Sequence, residues 1–376
     1  MCIPTTYSST TSTTSTTSTM PFGPFTLQWR TPSPNPPPPS PLPNGITRTY
    51  INTPGGPLEL LCALPATPSP RPKPPLFFAH GGFGCAAVWH AYMTFFAARG
   101  YACYAISYRG HGASWYPSFW ALFFSGRAAM AQDLVAGVRE VERREGGRVA
   151  KGERVGVVLV AHSAGGALAQ WVLGRGMVRV EGFCLLGGVP GFGSWSCYTF
   201  WAHQLSTPLN LLYYCFHPRY LLATTQQVHS AFFSPATPLS RVREFERLLS
   251  PYESMGWPLQ ALPAFVTGPD VVQAIGGWKP RGGAAGVAPR FLVLAAELDV
   301  LCTPPVLRDA ASRYRDAFPA CVRAGKLDGV SEGDVRDDED WDGVTFKVVR
   351  GLGHHLQNHV EWERGAEELL SWADNL

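Results

Sequence analysis

From residue 46 onward, short apolar runs alternate with helix-length segments, and this alternation limits the folds that the chain can adopt. Strand-length apolar runs lie at 46–52, 58–64, 75–80, 101–107, 154–161, 178–186, 291–296 and 344–350. Helix-length segments between or after them lie at 86–99, 126–145, 163–174, 304–317 and 360–373. Short continuous apolar runs are typical of strands buried on both faces. The pattern therefore predicts an α/β fold, with a mostly parallel central sheet flanked by helices.

The alternation stops between residues 191 and 288, a stretch rich in aromatic residues, Pro and Ser. One amphipathic segment, 239–249, is evident within it. Two independent domains would need a second hydrophobic core, and this stretch does not show one. We therefore expect a single core built from residues 46–190 and 289–376, with a largely helical insertion at 191–288.

Residues 1–45 differ in composition from the rest of the chain, with a Ser/Thr tract followed by a Pro-rich run at 32–43. Such a composition buries little apolar surface and predicts disorder or an extended linker. The N-terminus shows no signal-peptide pattern, and no run of about 18 apolar residues predicts a membrane span. We expect a cytoplasmic protein, although peripheral contact with a membrane stays open.

Charge and cysteine spacing argue against several functional classes. The 376 residues carry a formal net charge of +3 with no Lys/Arg-rich run, so a nucleic-acid partner is not indicated. The nine cysteines include no C-x-x-C pair, which disfavours a zinc site or a dithiol redox site. We expect neither a metal nor a cofactor. The sequence does not specify an oligomeric state.

Ser163 lies where an apolar run meets a helix-length segment, in Ala161-His162-Ser163-Ala164-Gly165. A sharp strand-to-helix turn of this kind exposes a serine Oγ above the sheet and needs small neighbours, because two backbones pass close together. The alternative is a simple helix N-cap serine. The position after a run of valines favours Ser163 as a nucleophile.

A serine nucleophile needs a base, and the base in turn needs a carboxylate to orient it. His354 follows Gly353 in the loop after run 344–350, and His355 is the alternative base. Asp299 follows run 291–296, at the strand end where functional carboxylates lie in open α/β sheets. Glu297 is the alternative acid.

The sequence His80-Gly81-Gly82-Phe83-Gly84 follows the buried strand predicted at 75–79, where donors for an oxyanion would be expected. The backbone N–H groups of Gly82 and Ala164 are the predicted pair, with Phe83 as a rival to Gly82. A phosphate-binding loop is not indicated, because no Gly-Lys-Ser/Thr follows.

These motifs, taken with Arg109-Gly110-His111-Gly112, resemble the α/β-hydrolase superfamily. The closest resemblance is to its monoacylglycerol-lipase, lysophospholipase and serine-aminopeptidase-like branch. It implies that Ser163, Asp299 and His354 form a catalytic triad, and that the insertion at 191–288 caps the active site. In such relatives the Arg-Gly-His-Gly turn is mainly structural. Ala161 departs from the usual glycine of the motif, and the stretch from the acid to the histidine is longer than expected.

The predicted activity is hydrolysis of a carboxylic ester with an apolar or lipid-like acyl group, through an acyl-enzyme on Ser163. The same residues leave amide, peptide, thioester and carbon–carbon bond cleavage open, as well as acyl transfer. A different alternative is a non-catalytic ligand receptor with this fold. Aromatic and aliphatic residues of the insertion could line an acyl pocket or pack within the insertion itself: Trp195, Tyr198, Phe200, Trp201, Leu209, Leu211, Leu212, Tyr213, Tyr214 and Phe216.

Overall fold

The structure is a computed structural model. It describes residues 18–22, 25–29, 33–35, 40–67, 73–148, 155–202, 209, 212, 214, 216–251, 253–280, 286–335 and 343–376.

An eight-stranded sheet lies at the centre of the described chain, in the order β10-β9-β8-β7-β5-β6-β4-β3. Its strands are β3 Ile46–Thr53, β4 Gly56–Ala63, β5 Leu76–Ala79, β6 Cys103–Ile106, β7 Val158–His162, β8 Gly182–Leu186, β9 Phe291–Ala296 and β10 Val344–Val349. Strand β4 pairs antiparallel with β3 and with β6, and every other pairing in this sheet is parallel. The predicted α/β class with a mostly parallel sheet is confirmed.

Eleven α-helices are assigned in the described chain. They are α1 His90–Ala97, α2 Phe119–Phe123, α3 Arg127–Glu145, α4 Ala164–Gly174, α5 Trp195–Ala202, α6 Thr225–Phe232, α7 Leu239–Glu246, α8 Gly256–Gln260, α9 Gly268–Gln273, α10 Pro304–Arg323 and α11 Trp362–Ala373. None of the helices described here has the length and apolar character needed to cross a bilayer.

Helices cover both faces of the sheet, which explains the continuous apolar runs in the sequence. Strands β5 to β9 are buried along their whole length, whereas the edge strands β3 and β10 combine buried residues with partly or fully exposed ones. One apolar cluster joins the sheet to α3, α4 and α10, and a second joins it to α1 and α11. Two-sided burial removes most apolar surface of the central strands from water, and this is the main stabilising term for such a sheet.

Helix α10 runs to Arg323, beyond the predicted end at residue 317, although Pro319 lies inside it. An internal proline costs a helix about 3 kcal/mol. Phe318, Cys321 and Val322 are buried and continue the apolar face of the helix beyond its predicted end. Packing of this face offsets the cost of the proline.

The N-terminal segment differs in part from the predicted disorder. Strands β1 Ser18–Phe22 and β2 Phe25–Trp29 pair antiparallel, and Ser33 exchanges backbone hydrogen bonds with Tyr116 of the core. A sequence signal for this pairing exists, because a Gly-Pro pair separates two short runs and the second run alternates apolar with polar residues. Residues 1–17, 23–24, 30–32 and 36–39 lie outside the described residues.

The chain between β8 and β9 contains five of the helices, α5 to α9, where the sequence indicates one amphipathic segment. That segment is α7, which ends at Glu246 rather than at residue 249. The other four helices contain five to eight residues each. Helices this short give too few turns for a clear 3.6-residue period, so the sequence pattern could not separate them from loops.

Candidate active site

Ser163 occupies the turn between β7 and α4 in a strained conformation, with φ 51° and ψ −126°. A non-glycine residue rarely adopts positive φ, and such strain is concentrated at functional sites. The backbone around this turn approaches so closely that residues 81 and 165 have no room for a side chain. A Cβ on Gly81 would lie 2.7 Å from the Ser163 Cβ, and one on Gly165 would lie 2.2 Å from the carbonyl oxygen of His80.

A continuous hydrogen-bond chain joins the three residues selected from the sequence. The Ser163 Oγ lies 2.8 Å from His354 Nε2, and His354 Nδ1 lies 2.8 Å from Asp299 Oδ2. His354 and Asp299 are buried, whereas Ser163 is partly exposed. These groups come from three loops at the carboxyl ends of β7, β9 and β10, and the parallel sheet brings those ends to one edge.

Asp299 is fixed by the backbone that follows it. Its Oδ1 accepts hydrogen bonds from the backbone N–H of Leu301 at 2.8 Å and of Cys302 at 2.9 Å. The alternative acid, Glu297, is exposed and accepts instead from the backbone N–H of Gly351 at 2.8 Å. The geometry therefore favours Asp299 as the partner of the imidazole.

The alternative base, His355, points elsewhere. Its Nδ1 lies 3.0 Å from Asn358 Nδ2, and its ring packs against Phe245 with centroids 4.4 Å apart. Burial lowers the pKa of His355 well below its usual value, and the neighbouring histidines lower it further. A neutral packing histidine fits these contacts.

His162 is a site residue to which the sequence pattern assigned no role. Its Nε2 lies 2.9 Å from the carbonyl oxygen of His354, so it holds the loop that presents the candidate base. Burial lowers the pKa of His162 well below its usual value, and His354 nearby lowers it further. A neutral His162 can donate from Nε2 to this carbonyl. Nothing in the sequence distinguished His162 from the other residues of the motif around Ser163.

The predicted oxyanion donors lie side by side. A Cβ on Gly82 would be 4.0 Å from the Cβ of Ala164, and both residues line the cavity beside Ser163. Within the part of the chain that the structure describes, no acceptor is found for the N–H of Gly82 or of Ala164. The N–H of Phe83, by contrast, donates to Glu253 Oε2 at 2.9 Å. The alternative donor is thus already engaged.

An apolar cavity of about 130 Å³ opens beside the Ser163 hydroxyl. Tyr198 and Trp201 of α5 line it, as two of the ten predicted insertion residues. The other lining residues are Gly82, Phe83, Ser163, Ala164, Val189, Cys197, Pro218, Leu221, Leu222, Phe232, Glu253, Ser254, Met255, Trp257, Pro258, Leu301 and Cys302.

Eight predicted insertion residues remain, and none of the six that the structure describes lines the cavity. Four are largely exposed, at 52–69%: Trp195, Leu209, Leu212 and Phe216. Phe200 and Tyr214 are partly or fully buried away from it. Leu211 and Tyr213 lie outside the described residues.

One group of metal-ligand type occurs within the described residues, formed by Asp299, Cys302 and His354. Both carboxylate oxygens of Asp299 and both ring nitrogens of His354 are already hydrogen-bonded. The donors of Asp299 and His354 are therefore engaged with each other, with Ser163 and with backbone N–H groups, and we assign the group no metal role.

Comparison with protein families gives a match to the Alpha/beta hydrolase family over residues 76–366. This match covers more than half of the chain. The chain belongs to the alpha/beta hydrolase family. No curated protein matches it.

Solved structures of other alpha/beta hydrolases share the fold at low sequence identity. A thermophilic esterase from Thermogutta terrifontis is 16% identical, with a TM-score of 0.53 over 87% of this chain and 97% of that chain. A thermostable carboxyl esterase from Bacillus coagulans is 14% identical, with a TM-score of 0.55 over 88% and 99%. A haloalkane dehalogenase from Agrobacterium tumefaciens is also 14% identical, with a TM-score of 0.53 over 88% and 97%. At these identities the likeness shows the fold alone.

Proposed function

We propose that this alpha/beta hydrolase is a serine hydrolase that cleaves carboxylic esters with an apolar acyl group through an acyl-enzyme on Ser163. The observation that carries the proposal is the hydrogen-bond chain from Ser163 through His354 to Asp299, which ends beside an apolar cavity. The geometry matches the nucleophile, base and orienting acid that acyl transfer requires.

In the proposed acylation step, His354 Nε2 takes the Ser163 proton as Oγ attacks the ester carbonyl carbon. The carbonyl oxygen becomes an oxyanion facing the N–H groups of Gly82 and Ala164, which stabilise it. The C–O bond to the alcohol then breaks, and His354 returns the proton to the leaving oxygen. In deacylation, His354 takes a proton from a water molecule as that water attacks the acyl-enzyme carbonyl. The acyl C–O bond to Ser163 then breaks, His354 returns the proton to Ser163 Oγ, and the carboxylic acid is released.

The apolar walls of the cavity favour an apolar acyl chain. Tyr198 and Trp201 come from α5, so we propose that residues 191–288 cap the active site. Transfer of apolar surface from water into such a cavity is favourable by about 25 cal/mol per Å². Membership of the monoacylglycerol-lipase-like branch is part of the same proposal and rests on the motif resemblance.

Several rival activities share this geometry. Amide, thioester or carbon–carbon bond cleavage and acyl transfer would use the same three side chains. A dehalogenase reaction is disfavoured, because that chemistry on this fold goes with Asp at the strand-to-helix turn, where this chain has Ser163. A non-catalytic receptor is the rival of another class.

The test combines a fluorophosphonate probe with p-nitrophenyl esters of graded acyl length. We expect the purified full chain to be labelled and to hydrolyse esters of medium acyl length faster than the acetate. Ser163→Ala should lose the label and at least about 10³-fold of the turnover.

Two results would overturn the proposal. Labelling that persists in Ser163→Ala would exclude Ser163 as the nucleophile. A chain that is neither labelled nor active on any of the esters would favour the receptor.

A further inference from the structure

The loop that carries Gly82 is hydrogen-bonded to the insertion through both the N–H and the carbonyl oxygen of Phe83. The backbone N–H of Ser250 donates to the Phe83 carbonyl oxygen at 2.7 Å. Glu253 Oε2 accepts from the Phe83 N–H at 2.9 Å. Two residues after Phe83, Cys85 Sγ lies 3.3 Å from the Leu248 carbonyl oxygen. Leu248, Ser250 and Glu253 therefore bind directly to the loop beside the nucleophile.

Glu253 is a buried carboxylate with a charged partner from the core. The side chain is 6% exposed, and its Oε2 lies 3.0 Å from His111 Nε2. Its Oε1 accepts from the backbone N–H of Ser254 at 2.7 Å. His111 Nδ1 lies 2.9 Å from the carbonyl oxygen of Arg109, and this leaves both ring nitrogens of His111 facing acceptors. An imidazolium satisfies both contacts, whereas a neutral ring satisfies one.

The pKa values agree with a charged pair. Burial alone would lower the pKa of His111, but the Glu253 carboxylate, the Arg109 carbonyl and Asp133 together outweigh burial and raise it. Burial alone would raise the pKa of Glu253, but His111 and the donating N–H groups lower it. His80, whose ring centroid lies 5.1 Å from that of His111, has its pKa lowered by burial to about 3 and stays neutral. Asp133 also favours the charged form of His111, although Asp133 itself forms a direct ion pair with Arg109.

We infer that Glu253 is a positioning residue for the oxyanion loop, and that His111 neutralises its charge beside the developing oxyanion. The inference rests on the proposed function. Glu253 engages the Phe83 N–H and so selects Gly82 rather than Phe83 as the donor to the oxyanion.

Backbone strain explains why such a hold is needed. Phe83 has φ 59°, in the left-handed region that non-glycine residues adopt only at an energetic cost. Such strain persists only where the surroundings fix the conformation. The charge-assisted bond from Phe83 to Glu253 and the bond from Ser250 supply that fixation.

Electrostatics explain the need for His111. A Cβ on Gly82 would lie 3.9 Å from Glu253 Oε2, so the carboxylate is close to the place where the oxyanion forms. An unpaired carboxylate there would repel the transition state, because charges interact strongly in a water-excluded site. The imidazolium of His111 makes the pair neutral overall.

The test compares three variants of the full chain: Glu253→Ala, Glu253→Gln and the control Glu246→Ala. Glu246 lies on α7 of the same insertion and contacts Thr225 Oγ1 at 2.9 Å, away from the loop. Gln at 253 keeps an oxygen for Phe83 and His111, although its NH₂ would face the Ser254 N–H. For Glu253→Ala we expect kcat and kcat/KM on a p-nitrophenyl ester to fall together by about 10²-fold, with KM within three-fold. Glu253→Gln should recover most of kcat, and Glu246→Ala should equal the wild type.

Hydrogen exchange of a peptide spanning residues 81–84 gives a readout that does not require activity. Exchange there should accelerate at least ten-fold in Glu253→Ala and stay unchanged in Glu246→Ala. An active wild type whose Glu253→Ala variant keeps kcat and loop protection would overturn the inference and leave the proposed function intact. An inactive, unlabelled wild type would overturn the proposed function, and exchange would still decide whether Glu253 holds the loop.

Discussion

Asp299 uses both carboxylate oxygens, and an Asn at this position cannot satisfy both sets of partners. Two backbone N–H groups face Oδ1, so the Asn oxygen must lie there and its NH₂ must face His354 Nδ1. The imidazole would then carry its proton on Nε2, where it could not accept the Ser163 proton. We expect Asp299→Asn to lower kcat by about 10⁴-fold, as the same tautomer change does in the serine-protease triad. Steady-state kinetics on a p-nitrophenyl ester measure it.

Glu297→Gln is the matched control for Asp299→Asn. Glu297 lies two residues away, is exposed, and accepts from the Gly351 N–H through one oxygen, which Gln retains. Its kcat should stay within about two-fold of the wild type. A large loss of kcat in Glu297→Gln with little loss in Asp299→Asn would mean that Glu297, not Asp299, orients the imidazole.

At the scale of elements, the junction of β7 and α4 leaves no room for a side chain at Gly165. A Cβ there would lie 2.2 Å from a backbone oxygen, which cannot rotate away. We expect Gly165→Ala to lower the free energy of unfolding by about 3 kcal/mol, at the upper end of overpacking costs. Gly147→Ala is the control, because no atom lies within 4 Å of its added Cβ. Urea unfolding of both variants measures the difference, and equal midpoints would contradict the close approach of the two backbones at this turn.

Helix α5 presents one tryptophan to the cavity and another to solvent. Trp201 lines the cavity, whereas Trp195 is 68% exposed. Trp201→Ala should enlarge the cavity and shift the preferred p-nitrophenyl ester to longer acyl chains, by about two to four carbons. Trp195→Ala should leave the chain-length profile unchanged. Identical chain-length profiles for the wild type and Trp201→Ala would show that the cavity does not bind the acyl chain.

The central strands could be predicted from the sequence because burial on both faces leaves a continuous apolar run, as at Phe291–Ala296, whose bounds were predicted correctly. The short helices of the insertion could not, since α8 and α9 have only five and six residues. Which aromatic residues of the insertion face the cavity was equally hidden. Trp195 and Trp201 belong to the same helix, and only tertiary packing separates their environments.

At the scale of the whole molecule, the site residues come from two places, the core sheet and the insertion. Ser163, Asp299 and His354 follow predicted strands, and strand order alone brings their loops together. Glu253 comes from the insertion, 170 residues after Phe83, and no local pattern marks it as a partner of the loop at Gly82. Contacts between the core and the insertion depend on how the insertion folds back, and motif spacing does not encode that.

Buried histidines make the stability of the whole molecule depend on pH. Burial lowers the pKa of His80 to about 3, and it lowers the pKa values of His162 and His355 well below the usual value. Below about pH 6.5 the unfolded chain binds protons at these three positions while the folded chain does not. Each position therefore removes about 1.4 kcal/mol of stability per pH unit, and the three together remove about 4 kcal/mol per pH unit.

His111 and Glu253 act in other pH ranges. The raised pKa of His111 contributes stability that is complete below about pH 6.5 and is lost as pH rises through its folded value. The lowered pKa of Glu253 contributes stability that is lost only below about pH 4.5. Neither change cancels the loss from the three neutral histidines between pH 6.5 and 5. Urea midpoints at pH 8, 7, 6 and 5 should therefore be highest near pH 7 and fall steeply below pH 6.5. A midpoint that stays flat from pH 7 to 5 would mean that these imidazoles bind protons in the folded chain, which their packing around Ser163 and His354 does not allow without local opening.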